Sequence, residues 1–182
     1  MRVIAVVGLP ASGKGEFSRL AGEMKIPVIV MGDVVRKAVQ DAGLPLTDNN
    51  MGEMSCHLRE GLGRDALAQL VIPEIQAQTA RVVLVDGIRS DAEVETLRRN
   101  FPDFVLTGLD VPFDIRLARL GGRGRADDTI GTEGLRMRDE RELGWGMGKA
   151  LEMADHTLRN EGSVSDFETE VRGLLKKLRA GV

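Results

Sequence analysis

The chain opens on a β-branched apolar run, Val3 to Val7, that leads straight into GLPASGKGEF, Gly8 to Phe17. Few junctions restrict a fold as tightly. An apolar run of this kind reads as a strand buried on both faces, the usual place of a central strand in a parallel sheet. The glycines of the following loop let backbone N–H groups turn inward around an anion, and a helix starting near Lys14 adds the positive end of its dipole. Lys14 supplies a point charge for terminal phosphates. Gly8, Leu9, Pro10, Ala11, Ser12, Gly13, Lys14 and Gly15 are therefore the expected cradle for the phosphates of a nucleotide. One position breaks the pattern G-x-x-x-x-G-K-[ST]: where a hydroxyl should follow the lysine and help hold Mg²⁺, the chain has Gly15 and then Glu16.

Further strand signals stand at Ile26–Val30, Val82–Val85, Phe104–Leu109 and His156–Leu158. Helical patterns cover Lys14–Met24, a segment opening at Gly32-Asp33 with Asp33 as N-cap, Phe113–Leu120 and Val164–Leu178. Between Thr47 and Gln78 the pattern is helical, broken near Gly61-Leu62-Gly63, with Pro73 marking a kink or boundary. Strands alternating with helices give βα units. The expected fold is α/β: a single domain, residues 1–182, with the three-layer P-loop NTPase architecture and a parallel sheet of about five strands. Two segments exceed ordinary connections, 34–80 and 121–145; at the carboxyl edge of a parallel sheet, such insertions hold and cover substrates.

Composition excludes other classes. A net charge of −3 argues against general nucleic-acid or anionic-membrane binding. Cys56 is the only cysteine, and His57 and His156 are the only histidines, which leaves no intrachain disulfide, cysteine-rich zinc site or histidine-centred triad. No run approaches the roughly 18 apolar residues of a membrane span. VIAVVG is too short for a signal peptide, and the expected setting is cytoplasmic.

GLPASGKGEF resembles the loop G-x-P-G-x-G-K-G-T of adenylate kinases and related nucleoside monophosphate kinases, which also lack a hydroxyl directly after the lysine. The resemblance implies that Mg²⁺ is held through water by carboxylates at the ends of neighbouring strands, here Asp33 and Asp86; Glu16 stands where the family has a threonine. MGDVVR is similar to the family's acceptor segment and VVLVDGIR to its D-G-F-P-R, one residue shorter, which makes Arg36 and Arg89 the implied grips on an acceptor. RLARLGGRGR is similar to the entrance of the mobile lid, implying that Arg119 flanks the donor base and that Arg123, with Arg125 in reserve, reaches the phosphates. ADHTLRNEGSVSDF resembles the base-lining loop of dephospho-coenzyme A kinases and places Asn160 near the donor adenine. As a whole, the chain resembles an archaeal group of nucleotide-kinase-like P-loop proteins carrying DGIRS, RGR-x-DD and RDERELG.

The implied activity is transfer of the γ-phosphoryl of Mg-ATP to a nucleotide or coenzyme precursor, with Mg²⁺ as cofactor and a small phosphorylated or hydroxyl acceptor as partner. An ATPase or nucleotide-dependent module acting on a protein or RNA is the alternative. Met31 and Glu93 replace two base contacts of adenylate kinases, and an ionised glutamate only accepts hydrogen bonds, so adenine loses a partner that an N–H-rich edge would keep. The alternatives are a solvated helix position for Arg36 and, for Arg89, a pairing with Asp91 or Glu93. Seven arginines and five acids lie between Arg116 and Arg141, and some are expected to form surface ion pairs. Trp145, among glycines 144, 146 and 148, is expected at a hinge of the lid or in a tight turn.

Overall fold

The computed structural model describes residues 1–120 and 131–181. Arg123 and Arg125 lie outside the described residues. The elements run β1 Arg2–Val7, α1 Lys14–Glu23, β2 Val28–Val30, α2 Met31–Asp41, α3 Asp48–Leu62, α4 Ala66–Gln76, β3 Val82–Ile88, α5 Asp91–Asn100, β4 Phe104–Asp110, α6 Phe113–Leu120, α7 Thr132–Trp145, α8 Met147–Glu152, β5 His156–Arg159 and α9 Val164–Ala180. The strands make one parallel sheet in the order β2-β3-β1-β4-β5. β1 is central, and Val3 to Val7 have no exposed surface, as the apolar run requires.

The core has two faces. On one, Ile4, Val6, Leu84 and Leu109 of the sheet pack against Phe17 and Leu20 of α1 and Val171 and Leu175 of α9. On the other, Val3, Ala5, Val7, Val83, Val85 and Leu106 meet α2, α4, α5 and α8 through Val35, Val71, Val94 and Met147. This is the expected three-layer α/β architecture. The carboxyl ends of β1, β2 and β3 lie side by side, and the loops that follow them hold the candidate residues.

Several boundaries differ from the sequence pattern. α2 begins at Met31 and is entered from Val30, so Asp33 sits inside the first turn and caps nothing with its side chain. An acid there still favours the helix dipole, and it pairs with Arg36 one turn on. Pro73 lies within α4, which continues to Gln76. Burial of Ala68, Val71 and Ile75 outweighs the missing backbone donor, so tertiary packing overrides local propensity. The break after α3 is as expected: Gly63, at φ +99°, receives its end. β3 does not stop at Val85 but runs on to Ile88. Val6 pairs with Asp86 and Val7 with Ile88, so Gly87, at φ +105°, is passed over in a bulge.

Candidate nucleotide and acceptor site

The loop between β1 and α1 is shaped by its backbone. Ala11 and Gly13 adopt positive φ, +61° and +110°, and Gly13 is the N-cap of α1. Gly13 is also sterically fixed, because a Cβ there would lie 2.5 Å from Asn160 Nδ2. Lys14 Nζ donates to the carbonyls of Gly8 and of Leu9, the latter at 3.1 Å, which holds the ammonium over the loop. Ser12 is buried, and its Oγ has no hydrogen-bond partner. An orphaned hydroxyl inside a glycine loop fits an anion that supplies the missing acceptor. Gly15, by contrast, needs no glycine: a Cβ there would meet nothing within 4 Å.

Asp86 comes to this loop from the end of β3. Its Oδ2 accepts a hydrogen bond from Ser18 Oγ at 2.7 Å, one helical turn beyond Lys14. A carboxylate and a hydroxyl beside the loop are oxygen donors of the kind that suits Mg²⁺ held mostly by phosphate and water. On the far side of the loop, Arg119 Nη2 donates to the main-chain oxygen of Asn160 at 2.7 Å and to its Oδ1 at 3.1 Å, and Asn160 Nδ2 donates to the carbonyl of Ser12 at 3.0 Å. The two residues implied for the donor base are thus joined to each other and to the phosphate loop.

The implied acceptor grips are arranged differently. Arg36 pairs with Asp33, both well exposed, and Arg89 pairs with Glu142 of α7. No described contact links the two arginines. Removal from water and crowding by Arg59 and Arg141 lower the Arg89 guanidinium to about 10. Glu93 is not available to a base edge. It is fully buried, its Oε1 accepting from Arg59 Nη2 at 2.7 Å and its Oε2 from the Arg89 backbone N–H at 2.7 Å. Burial raises its carboxyl above the usual range, against the opposite pull of Arg59. Arg138 and Arg141 of α7 reach Asp48 at the start of α3, and the Arg59 and Arg141 guanidiniums lie 4.5 and 5.7 Å from the Trp145 ring.

Trp145 therefore packs at a tight turn. Gly146, at φ +109°, both ends α7 and starts α8, and a Cβ there would collide with Asp91 Oδ1 at 2.3 Å. Gly144 and Gly148 lie in ordinary helix. Next to Arg141, Asn49, Glu53, His57 and Glu60 of α3 line a cavity of about 320 Å³. Its two glutamates make it a poor seat for a phosphate.

A family model described as an AAA domain matches residues 7–134. A UPF0200 protein of Methanoculleus marisnigri is 56% identical over 98% of this chain and 97% of its own length. The chain belongs to the UPF0200 family. A second UPF0200 protein, from Methanosarcina acetivorans, is 45% identical over 96% of this chain and 94% of its own. In the UPF0200/UPF0201 protein of Archaeoglobus fulgidus, 46% identical, the chain spans 57% of the length. Among solved structures, the Thermus thermophilus protein TT1252 shares the fold with a TM-score of 0.68 at 16% identity, over 97% of each chain. A gluconokinase from Sinorhizobium meliloti does so with a TM-score of 0.57 at 18% identity, over 98% of this chain and 94% of its own. The fold of this UPF0200 chain is thus that of P-loop kinases.

Sequence reasoning passes over three residues of the candidate site. Ser18 carries no signal because the loop pattern looks one residue past the lysine, not four. Arg59, on a helix without a motif, is nearly buried against Glu93. Arg116 opens the stretch expected to form surface pairs, yet it is buried: it meets Asp139 through two bonds of 2.8 and 2.6 Å and donates to the Pro10 carbonyl at 3.2 Å, tying α7 to the phosphate loop.

Proposed function

We propose that this protein is a small-molecule kinase, transferring the γ-phosphoryl of ATP to a nucleotide, a coenzyme precursor or a related hydroxyl-bearing acceptor. The observation that carries the reading is the convergence of Lys14, the orphaned Ser12 hydroxyl and Asp86 on one loop at the carboxyl edge of the sheet. Lys14 and the loop N–H groups bind the β- and γ-phosphates and offset the charge that spreads over the equatorial oxygens during transfer. Asp86 and Asp33 are the carboxylates that would hold Mg²⁺ through water, and the ion would supply further charge neutralisation. Arg119 and Asn160 flank the adenine side. The family resemblance assigns Arg123 and Arg125, which lie outside the described residues, to the phosphates. Arg36 and Arg89 hold the acceptor in line, each exchanging its internal acid, Asp33 or Glu142, for the incoming anion.

A second reading, an ATPase or nucleotide-dependent module working on a protein or RNA, is favoured by that same pairing: both acceptor arginines already have partners. A product screen with Mg-ATP separates the two. AMP, GMP, CMP, dephospho-coenzyme A, simple sugars, gluconate and no acceptor form the panel, the sugars because two structural neighbours are a gluconokinase and a sugar kinase. A phosphorylated product in any arm supports the kinase. ADP release at one rate in every arm, without a product, replaces it with the ATPase.

A further inference from the structure

We infer that Ser18 takes over the task of the hydroxyl missing at Gly15 and is the residue that positions Asp86 for Mg²⁺. The inference rests on the proposed binding of Mg-ATP. Ser18 stands four residues beyond Lys14 and three beyond Gly15, so all three share one face of α1. That face is turned to β3, where Ser18 Oγ donates to Asp86 Oδ2 at 2.7 Å. Asp86 is largely buried and rotates about two side-chain bonds, so a bond to one oxygen decides where the other points. With Oδ2 held by the hydroxyl, Oδ1 is the oxygen left for a cation's water.

A hydroxyl directly after the lysine does both tasks in an ordinary phosphate loop: it bonds the strand-end aspartate and touches the metal. Here the two are separated. The aspartate is held from one turn further along the helix, and a Cβ at Gly15 would meet nothing within 4 Å. This role for Ser18 also explains why the chain tolerates Glu16 beside the loop. Glu16 turns outward to Arg19 in an exposed pair and is not needed as a ligand.

Ser18 is thus a positioning residue, and its loss should alter metal dependence while leaving metal-free nucleotide binding in place. Substituting an outer-shell partner of this kind costs on the order of tenfold in metal affinity. The test follows ATP-induced thermal stabilisation while Mg²⁺ is titrated, in wild type, Ser18→Ala, Ser18→Thr and Asp86→Asn, with ATP binding in EDTA as control. Ser18→Ala should raise the Mg²⁺ midpoint about tenfold. Ser18→Thr should restore it, and the EDTA arm should be equal in all four. An unmoved midpoint in Ser18→Ala, with Asp86→Asn shifted, would overturn the role of Ser18 and leave the metal reading standing. Midpoints unmoved in both would remove Asp86 from the metal site and this inference with it. A Ser18→Ala loss that appears equally in EDTA would make the residue structural.

Discussion

The two halves of the candidate site are built on opposite terms. Around the phosphate loop, shape is set by the main chain: positive φ at Ala11 and Gly13, an N-terminal helix turn, and a lysine resting on carbonyl oxygens. Around the acceptor arginines, shape is set by charge pairs: Arg59 with Glu93, Arg89 with Glu142, Arg138 and Arg141 with Asp48. A backbone cradle can receive an anion with little rearrangement. A cluster of internal ion pairs receives one only by exchange, so its affinity is the difference between two good partnerships. The first half should therefore tolerate loss of its charge without unfolding, and the second should not.

The largest effect expected of that contrast is at Arg59. Arg59→Met strands the fully buried Glu93, and breaking a buried pair in this way costs about 3–5 kcal/mol. Urea unfolding should show it, and the double variant with Glu93→Leu should recover most of the loss. A cost below about 1 kcal/mol would place the pair among surface bridges and dissolve the contrast.

Next is Lys14→Ala. ATP-induced thermal stabilisation should vanish and transfer should slow by about 10²–10³, with the melting temperature of the nucleotide-free protein nearly unchanged. Unchanged ATP affinity would remove the lysine from the phosphate site.

A smaller effect separates Arg89 from its partner. Arg89→Ala should raise KM for the acceptor, whereas Glu142→Gln should lower it a few-fold, because a neutral amide holds a guanidinium about half as well as a carboxylate does. KM for ATP should stay level in both. Equal rises in acceptor KM would mean that Glu142 builds the site and does not compete for it.

The smallest signal is optical. Trp145 packs under Arg59 and Arg141, so its emission should change when an acceptor engages the arginine cluster and stay nearly level with ATP alone. A response to ATP alone would restore the hinge that the glycines around Trp145 suggest.

The sheet and the phosphate loop are legible in the sequence because their signals are local: a run of β-branched residues, glycines at fixed offsets, a lysine before a helix. The acceptor side is not. Its pairings join residues 34, 53 and 93 positions apart, Arg59 with Glu93, Arg89 with Glu142 and Arg141 with Asp48, and such contacts leave no periodic trace. Asp33 misleads as an N-cap for a different reason: α2 already starts at Met31, which leaves Asp33 within the first turn. α5 is missing from the sequence reading although Ser90 and Glu93 mark its start: Ser90 Oγ accepts from the Glu93 N–H at 3.1 Å in the manner of a capping box.

The bulge at Gly87 works on β3 as a shift of reading frame. Up to that point even-numbered residues, Val82 and Leu84, lie against α1 and α9, and odd-numbered ones, Val83 and Val85, lie against the opposite helices. Past it the parity inverts, because Ile88 joins Val83 and Val85. Ordinary alternation puts Asp86 on the face of Val82 and Leu84, and the glycine after it begins the acceptor side anew, out of phase with what came before. Deleting Gly87 would remove the bulge and restore plain alternation, with Ile88 still on the face of Val83 and Val85. Any engineer grafting the longer D-G-F-P-R segment onto this sheet must move the frame as well as the residues.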